Sequence, residues 1–398
     1  MKMLLFVDDE PRVLFGLQRQ LRPMHQEWNM NFVEGAAQAL QFMETHAVDI
    51  IVSDMMMPGM DGSQLLAEVA RRHPQVVRII LSGHSGHEAV LRLVGPAHQY
   101  LSKPCDADEL RKAIARALAL RDLLDNDRLK KLTTRIHDLP TLPVLHDRLT
   151  AELGKDAPDL DSIGEIISRD IGMTAKILQL VNSAFFGLAQ PINTPTEAVV
   201  YLGLNTIRSL VLSVEVFSQY EKKASSFPLE VLAQHSWITG TMASALARHE
   251  SLGSKMIDQC FLAGLLHDVG QMVLAFGLPA EYAQVNARAK NEHLPLWQVE
   301  QQCFGATHAD VGAYLLALWG LPNPVVEAVA LHHQPDRSAT PEFSPAVAVH
   351  VADVFAHAFM TAHTEVPPPI LDQAYLTRLG LDGKIESWQE DCQVIAET

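Results

Sequence analysis

The sequence predicts two fold classes in succession: a doubly wound α/β domain with five parallel strands, then an all-α domain. Three observations carry this. Over residues 1–122, short apolar runs alternate with helical periodicities, as in a parallel sheet covered on both faces. Two of those runs end in acidic residues, where such a sheet gathers its ligands. From "LPTLP" (139–143) onward the strand pattern stops, and long helical periodicities between Gly, Pro and Asn turns replace it.

The elements follow in order. "MLLFV" (3–7) is a strand, and Pro11 opens a helix through Leu14, Leu17 and Leu21. "MNFVE" (30–34) is the second strand and "AAQALQFMETH" (36–46) the next helix. "VDIIVSD" (48–54) is a continuous apolar run, as expected of a strand buried on both faces. "GSQLLAEVARRH" (62–73) is a helix, "VVRIILSG" (76–83) a strand, "HEAVLRLV" (87–94) a helix and "QYLSKP" (99–104) a short strand. Residues 106–132 contain neither Gly nor Pro and form one long helix; with its surroundings, 106–135 is a connector. Leu110, Ala117 and Leu124 recur every seven residues, as do Ala113 and Leu120, which suits a dimer-forming or signal-transmitting seam. The helical domain covers 136–363, and 364–398, with "PPP" at 367–369, is a short capping tail.

Composition narrows the function. Hydrophobic residues make up 48% and charged residues 20%, a globular balance. The net charge of −16 argues against nucleic acid as a general ligand. No apolar run reaches the roughly 18 residues needed to cross a membrane. The start, "MKMLLFVDDE", ends in acids and reads as a strand rather than a signal peptide. The four cysteines are far apart without ligand spacing, the pattern of reduced thiols in a cytoplasmic protein. Histidine is unusual: there are 18, many of them after residue 234.

A first constellation lies at the strand ends. Asp8 and Asp9 follow the first strand and Asp54 ends the third, so their carboxylates meet in one crevice. Clustered acids repel and need a cation, and oxygen ligands suit Mg²⁺. Ser82 ends "RIILS" and Lys103 follows "YLS". A hydroxyl, an ammonium and Mg²⁺ around one carboxylate suit phosphoryl transfer.

"VDDE", "SDMMMPGMDG", "LSG" and "KP" resemble the flavodoxin-like receiver domain of two-component response regulators. The resemblance implies that Asp54 accepts phosphate from a sensor histidine kinase. It implies that Asp8, Asp9, Asp54 and the Met56 carbonyl hold Mg²⁺, that Lys103 binds the phosphoryl group, that Ser82 is the switch hydroxyl, and that Tyr100 moves with it.

A second constellation spans the helical domain. His235 shares a face with Leu232, Thr239, Met242 and Leu246 and so points inward. His267 and Asp268 sit side by side within the helical run 254–276. His308 opens one helix, His332 and His333 close another, and Asp353 lies among Val349, Ala352 and Ala356. Packing these helices would bring the groups into one cleft. Buried carboxylates among imidazoles are best accommodated by a cation, and the mixed set suits Fe, Mn or Zn.

The order H…HD…H…HH…D is similar to the HD phosphohydrolase superfamily, most of all its HD-GYP branch of cyclic dinucleotide phosphodiesterases. This chain departs from that branch: Gln271 stands where a lysine is expected, "HHQPDRSATPEF" has no GYP, and Val231 replaces an acidic ligand four residues before His235. "IGEIISRDIGMTAKILQLVNSAFFG", "FLAGLLHDVGQMVL" and "VEAVALHHQP" resemble the HDOD domain, an HD-related output domain. That resemblance implies a signalling module with a protein or nucleotide partner. The competing expectation is a phosphorylation-gated metal phosphohydrolase of a nucleotide such as cyclic di-GMP. DNA binding by the output domain is a third.

Overall fold

A computed structural model describes residues 1–83, 97–103, 107–121, 129, 132–134, 136, 139–155, 157–183, 188, 190–212, 227–338, 340–360 and 367–397. The expected helix 87–94 and much of the connector, Leu124 included, lie outside the described residues.

The N-terminal sheet is parallel with order β2-β1-β3-β4-β5: β1 Lys2–Val7, β2 Trp28–Val33, β3 Ile50–Asp54, β4 Val77–Ser82 and β5 Gln99–Ser102. Every residue of β3 and β4 is buried, because helices cover both faces. The flanking helices are α1 Pro11–Leu21, α2 Ala36–Thr45, α3 Gly62–Arg72 and α4 Ala107–Arg121. Strand order reverses between β1 and β3, so Asp8 and Asp54 emerge at the switch-point crevice. A capping box of Asp61 and Gln64 starts α3. Gly62 is required there, since a Cβ would sit 2.0 Å from the Asp54 carbonyl oxygen.

The second part is helical throughout its described length. It comprises α5 Pro143–Leu153, α6 Leu160–Ser168, α7 Ile171–Val181, α8 Pro195–Leu202, α9 Leu204–Leu212, α10 Leu229–His249, α11 Ser254–Leu266, α12 Val269–Gly277, α13 Pro279–Glu292, α14 Leu296–Phe304, α15 His308–Leu318, α16 Asn323–Leu331, α17 Pro345–Phe359, α18 Gln373–Arg378 and α19 Ile385–Ala396. Runs that look continuous in the sequence are broken. The His267–Asp268 pair does not lie within a helix but forms the junction of α11 and α12, with Asp268 at φ −98°, ψ 8°. The stretch Ser254–Gly277 is apolar and long enough to cross a membrane, but it is this broken pair and its most apolar window is 78% buried in the core. The tail is structured too. Trp388 of α19 is fully buried, and its Nε1 donates to Glu250 Oε1 at 3.2 Å, at the end of the helix that carries His235.

Asp170 divides α6 from α7. Its carboxylate accepts the Met173 N–H at 2.8 Å as helix cap and the Leu142 N–H at 2.7 Å from the "LPTLP" segment. Asp170→Ala removes both acceptors from a buried place. The expected loss is about 2–3 kcal/mol, read as a lower midpoint in chemical denaturation; an unchanged midpoint would refute this role.

The two parts meet in a buried polar knot. Arg78 on β4 is fully buried; its Nη2 donates to the Thr134 carbonyl at 2.7 Å and its Nη1 to the Val76 carbonyl at 3.0 Å. The Arg78 N–H donates to His98 Nδ1 at 3.0 Å, which leaves His98 Nε2 to donate to Thr134 O at 3.0 Å. The Gln179 amide of α7 reaches the His98 carbonyl at 3.4 Å. Alongside the knot, α4 packs against α15, and Leu132 lies over Gly277 at the end of α12. Leu110 and Ala117, the described part of the heptad stripe, are buried within the chain itself.

Candidate phosphoacceptor and metal sites

The acidic strand ends and Lys103 lie together at one edge of the sheet. Lys103 Nζ donates to Asp8 Oδ2 at 2.6 Å and also to Asp54 Oδ1. The Met56 N–H donates to Asp54 Oδ2 at 2.7 Å. Asp8 is buried and Asp9 exposed beside it. Ser82 ends the neighbouring strand, and its carbonyl accepts the Lys103 N–H at 2.7 Å. Tyr100 is buried on β5, paired in register with Ile80. Burial pushes the Asp54 carboxyl above the ordinary carboxylate range, against the pull of Lys103, and the Asp8 charge adds to the rise. Burial alone would lower Lys103, but hydrogen bonds to Asp54 and Asp8 outweigh it and hold the ammonium charged.

The helical site also assembles. Asp353 Oδ1 lies 3.0 Å from His235 Nε2 and 3.6 Å from His267 Nε2. His267 Nε2 is 3.3 Å from Asp268 Oδ2, and His308 Nε2 is 3.1 Å from Asp268 Oδ1. His333 Nε2 lies 3.0 Å from His308 Nε2, and the His332 and His333 rings approach to 3.9 Å between centroids, tilted by 49°. All seven predicted residues therefore share one buried cluster. Val231 faces away, 56% exposed.

Three groups that sequence reasoning missed orient this cluster. Glu300 is fully buried and accepts from His308 Nδ1 at 2.6 Å, from the His308 N–H at 2.7 Å and from the Tyr282 hydroxyl at 3.1 Å. His350 Nε2 accepts the Asp372 N–H at 3.0 Å, so its Nδ1 donates to the His332 carbonyl at 2.7 Å. His357 Nδ1 lies 3.0 Å from Asp353 Oδ1. Only His357 had a usable sequence signal, its spacing four residues after Asp353 on one helix face.

The donor chemistry fits a metal cation. His267 and His332 each turn Nδ1 to a main-chain carbonyl, Gly264 at 2.7 Å and Val329 at 2.8 Å. His332 Nε2 is buried without a hydrogen-bond partner, as is His333 Nδ1, and His267 Nε2 faces the carboxylates of Asp268 and Asp353. Such outer-partner bonds are how metal-binding imidazoles are oriented. Around His308, a ring nitrogen, a second imidazole and a carboxylate oxygen converge, and only a proton or a metal ion can sit among them. Burial, together with the His267 and His308 charges, pushes His332 down to about 3, which keeps it an electron-pair donor. Burial alone would lower His308, but Glu300 and Asp268 raise it to about 10, so a metal must displace a proton there.

Gly270 lets α12 and α15 approach within this site. A Cβ at residue 270 would stand 1.9 Å from the His308 carbonyl oxygen. Gly270→Ala should cost about 3 kcal/mol by overpacking; a denaturation midpoint equal to that of the unmodified chain would contradict this close approach.

A receiver sheet joined to a helical output domain is the build of a response regulator. Residues 4–115 match the response regulator receiver domain family and residues 139–335 the HDOD domain family, so the chain belongs to the response regulators with an HDOD output domain. An uncharacterized protein of Treponema pallidum (strain Nichols) is 27% identical over 202 residues, 51% of this chain and 39% of that protein. The DNA-binding transcriptional regulator NtrC of Escherichia coli (strain K12) is 33% identical over 114 residues, 28% of this chain and 24% of NtrC. The chain thus spans well under half the length of these curated relatives. The MmoQ response regulator from Methylococcus capsulatus str. Bath is similar in fold, with TM-score 0.50 and 22% identity over 63% of this chain and 98% of that one. A virulence factor from Campylobacter jejuni subsp. jejuni gives 0.52 and 19% over 68% and 96%.

Proposed function

We propose that Asp54 accepts a phosphoryl group from a sensor histidine kinase and that the HDOD domain reads the change through a metal-holding His/Asp centre. An Asp54 carboxylate oxygen attacks phosphorus as the phosphorus–nitrogen bond to the kinase histidine breaks. Asp8, Asp9, Asp54 and the Met56 carbonyl would hold Mg²⁺, which neutralises charge on the transferred group. Lys103 then binds the phosphoryl oxygens, releasing its hold on the free carboxylate. Because the Ser82 carbonyl is bonded to the Lys103 N–H, a shift of Lys103 is felt at Ser82.

One observation carries the output half of the reading. Helix α4, the last of the receiver, packs on α15, whose first residue is His308. A rotation of α4 therefore acts on the helix that presents a candidate ligand. The centre would hold Fe, Mn or Zn through His235, His267, Asp268, His308, His332, His333 and Asp353, and its state would set affinity for a protein or nucleotide partner. Adding beryllofluoride, an acyl-phosphate mimic, should change amide hydrogen exchange over residues 308–318; identical exchange with and without it would sink this route.

A second reading is hydrolysis of a cyclic dinucleotide, favoured by convergence of the seven His and Asp residues in overlapping donor groups. Gln271 cannot supply the positive charge of the expected lysine, which weakens this reading. Turnover of cyclic di-GMP by the metal-loaded chain, lost on His267→Ala, would establish it.

A further inference from the structure

We propose that His357, with His235 and Asp353, forms an outer metal subsite that takes an additional divalent transition cation. Asp353 would bridge it to the inner set. This rests on the metal-centre reading above and extends it by a residue outside the expected ligand pattern.

Geometry singles out Asp353. Its Oδ1 faces His235 Nε2 at 3.0 Å, His357 Nδ1 at 3.0 Å and His267 Nε2 at 3.6 Å. The ligand atoms of His235, Asp353 and His357 all lie within 4.8 Å of one another, and so do those of His267, His332 and Asp353. One carboxylate thus belongs to two donor groups, the arrangement in which a carboxylate spans two cations. Asp353 and His357 are four apart on α17 and share a face. The rings of His235 and His357 meet edge to face at 4.3 Å, bringing α10 and α17 together at this point.

The chemistry suits a cation distinct from the inner one. Two imidazoles and a carboxylate are a borderline donor set, matched to Zn²⁺, Co²⁺, Ni²⁺ or Fe²⁺ rather than to Mg²⁺ or Ca²⁺. The side chains of His357 and His235 are 26% and 10% exposed, whereas those of His267, His308 and Asp268 are at most 6% exposed. The outer group is therefore one side of the cluster that solvent or a ligand reaches, the His333 side being the other partly exposed one. Binding at Nδ1 would replace the proton that His357 now shares with the Asp353 carboxylate and main-chain oxygens.

Co²⁺ titration of the full-length metal-free chain tests this. Equilibrium dialysis counts bound ions, and visible absorbance reports their coordination. His357→Ala should lose one equivalent of Co²⁺, or weaken it at least tenfold, while His357→Asp restores it. Melting curves of both variants in chelator, matching that of the unmodified chain, would exclude unfolding as the cause. An unchanged count and affinity in His357→Ala would overturn the subsite, leave the inner centre standing, and make His357 an ion-pair partner of Asp353 only. If His267→Ala also left the count unchanged, the metal-centre reading itself would fall.

Discussion

Asp54→Asn should abolish covalent labelling of the chain by a small phosphodonor such as acetyl phosphate in the presence of Mg²⁺. The substitution removes the nucleophile and little else. Asparagine keeps the side-chain shape, and its oxygen can still accept the Met56 N–H that now reaches Asp54 Oδ2 at 2.7 Å. Lys103 retains Asp8 at 2.6 Å as a charged partner, so the crevice stays closed around a neutral group. Folding should survive, because the raised Asp54 pKa shows that burial disfavours the charge being removed. Neighbouring Asp8 and Asp9 lie on a different strand end and should not substitute. Stoichiometric labelling of Asp54→Asn, measured by intact-protein mass, would mean that the acceptor is another residue.

The second large effect concerns the helical centre. His267→Ala should lower affinity for a transition cation by more than about 100-fold. Altering a group that merely orients a ligand costs about 10–100-fold, and His267 is placed as a ligand itself. Its Nε2 is buried and lies within 3.6 Å of both carboxylates of the set. His332 Nε2 is buried without a hydrogen-bond partner, and such a nitrogen is costly to keep unless something binds it. His332→Ala should therefore behave alike. Glu300→Gln should give a smaller loss, since the glutamine oxygen can still accept from His308 Nδ1. Metal content measured after dialysis against defined free Zn²⁺ would check the order; equal content in all three variants would contradict the assignment.

The receiver was legible because a parallel sheet converts sequence position into spatial position. An acid that ends a buried run must lie at the carboxyl edge, so Asp8, Asp54, Ser82 and Lys103 meet without knowledge of any side-chain contact. His235 was legible for a similar reason, since Leu232, Thr239 and Met242 mark its face as inward. The break at His267–Asp268 was not. Apolar residues run through it without Pro, and the glycine there, Gly270, serves a close approach between helices that no local pattern reveals. Glu300 was invisible because "VEQQCF" reads as a solvated stretch, and only the tertiary fold turns that carboxylate toward His308. Arg78 and His98 were not legible in the sequence. Their role in joining the two domains depends on Thr134, distant in sequence.

In the proposed function, the packing of α4 on α15 would let phosphorylation of the receiver be read at the His/Asp cluster of the helical domain. Comparing Co²⁺ affinity of the intact chain with and without beryllofluoride bound at Asp54 tests this most directly. The account predicts a shift of at least about 5-fold, the lower end of ordinary allosteric coupling, and its disappearance in Asp54→Asn. Equal affinity in both states of the receiver would show that the two sites share a chain but not a signal.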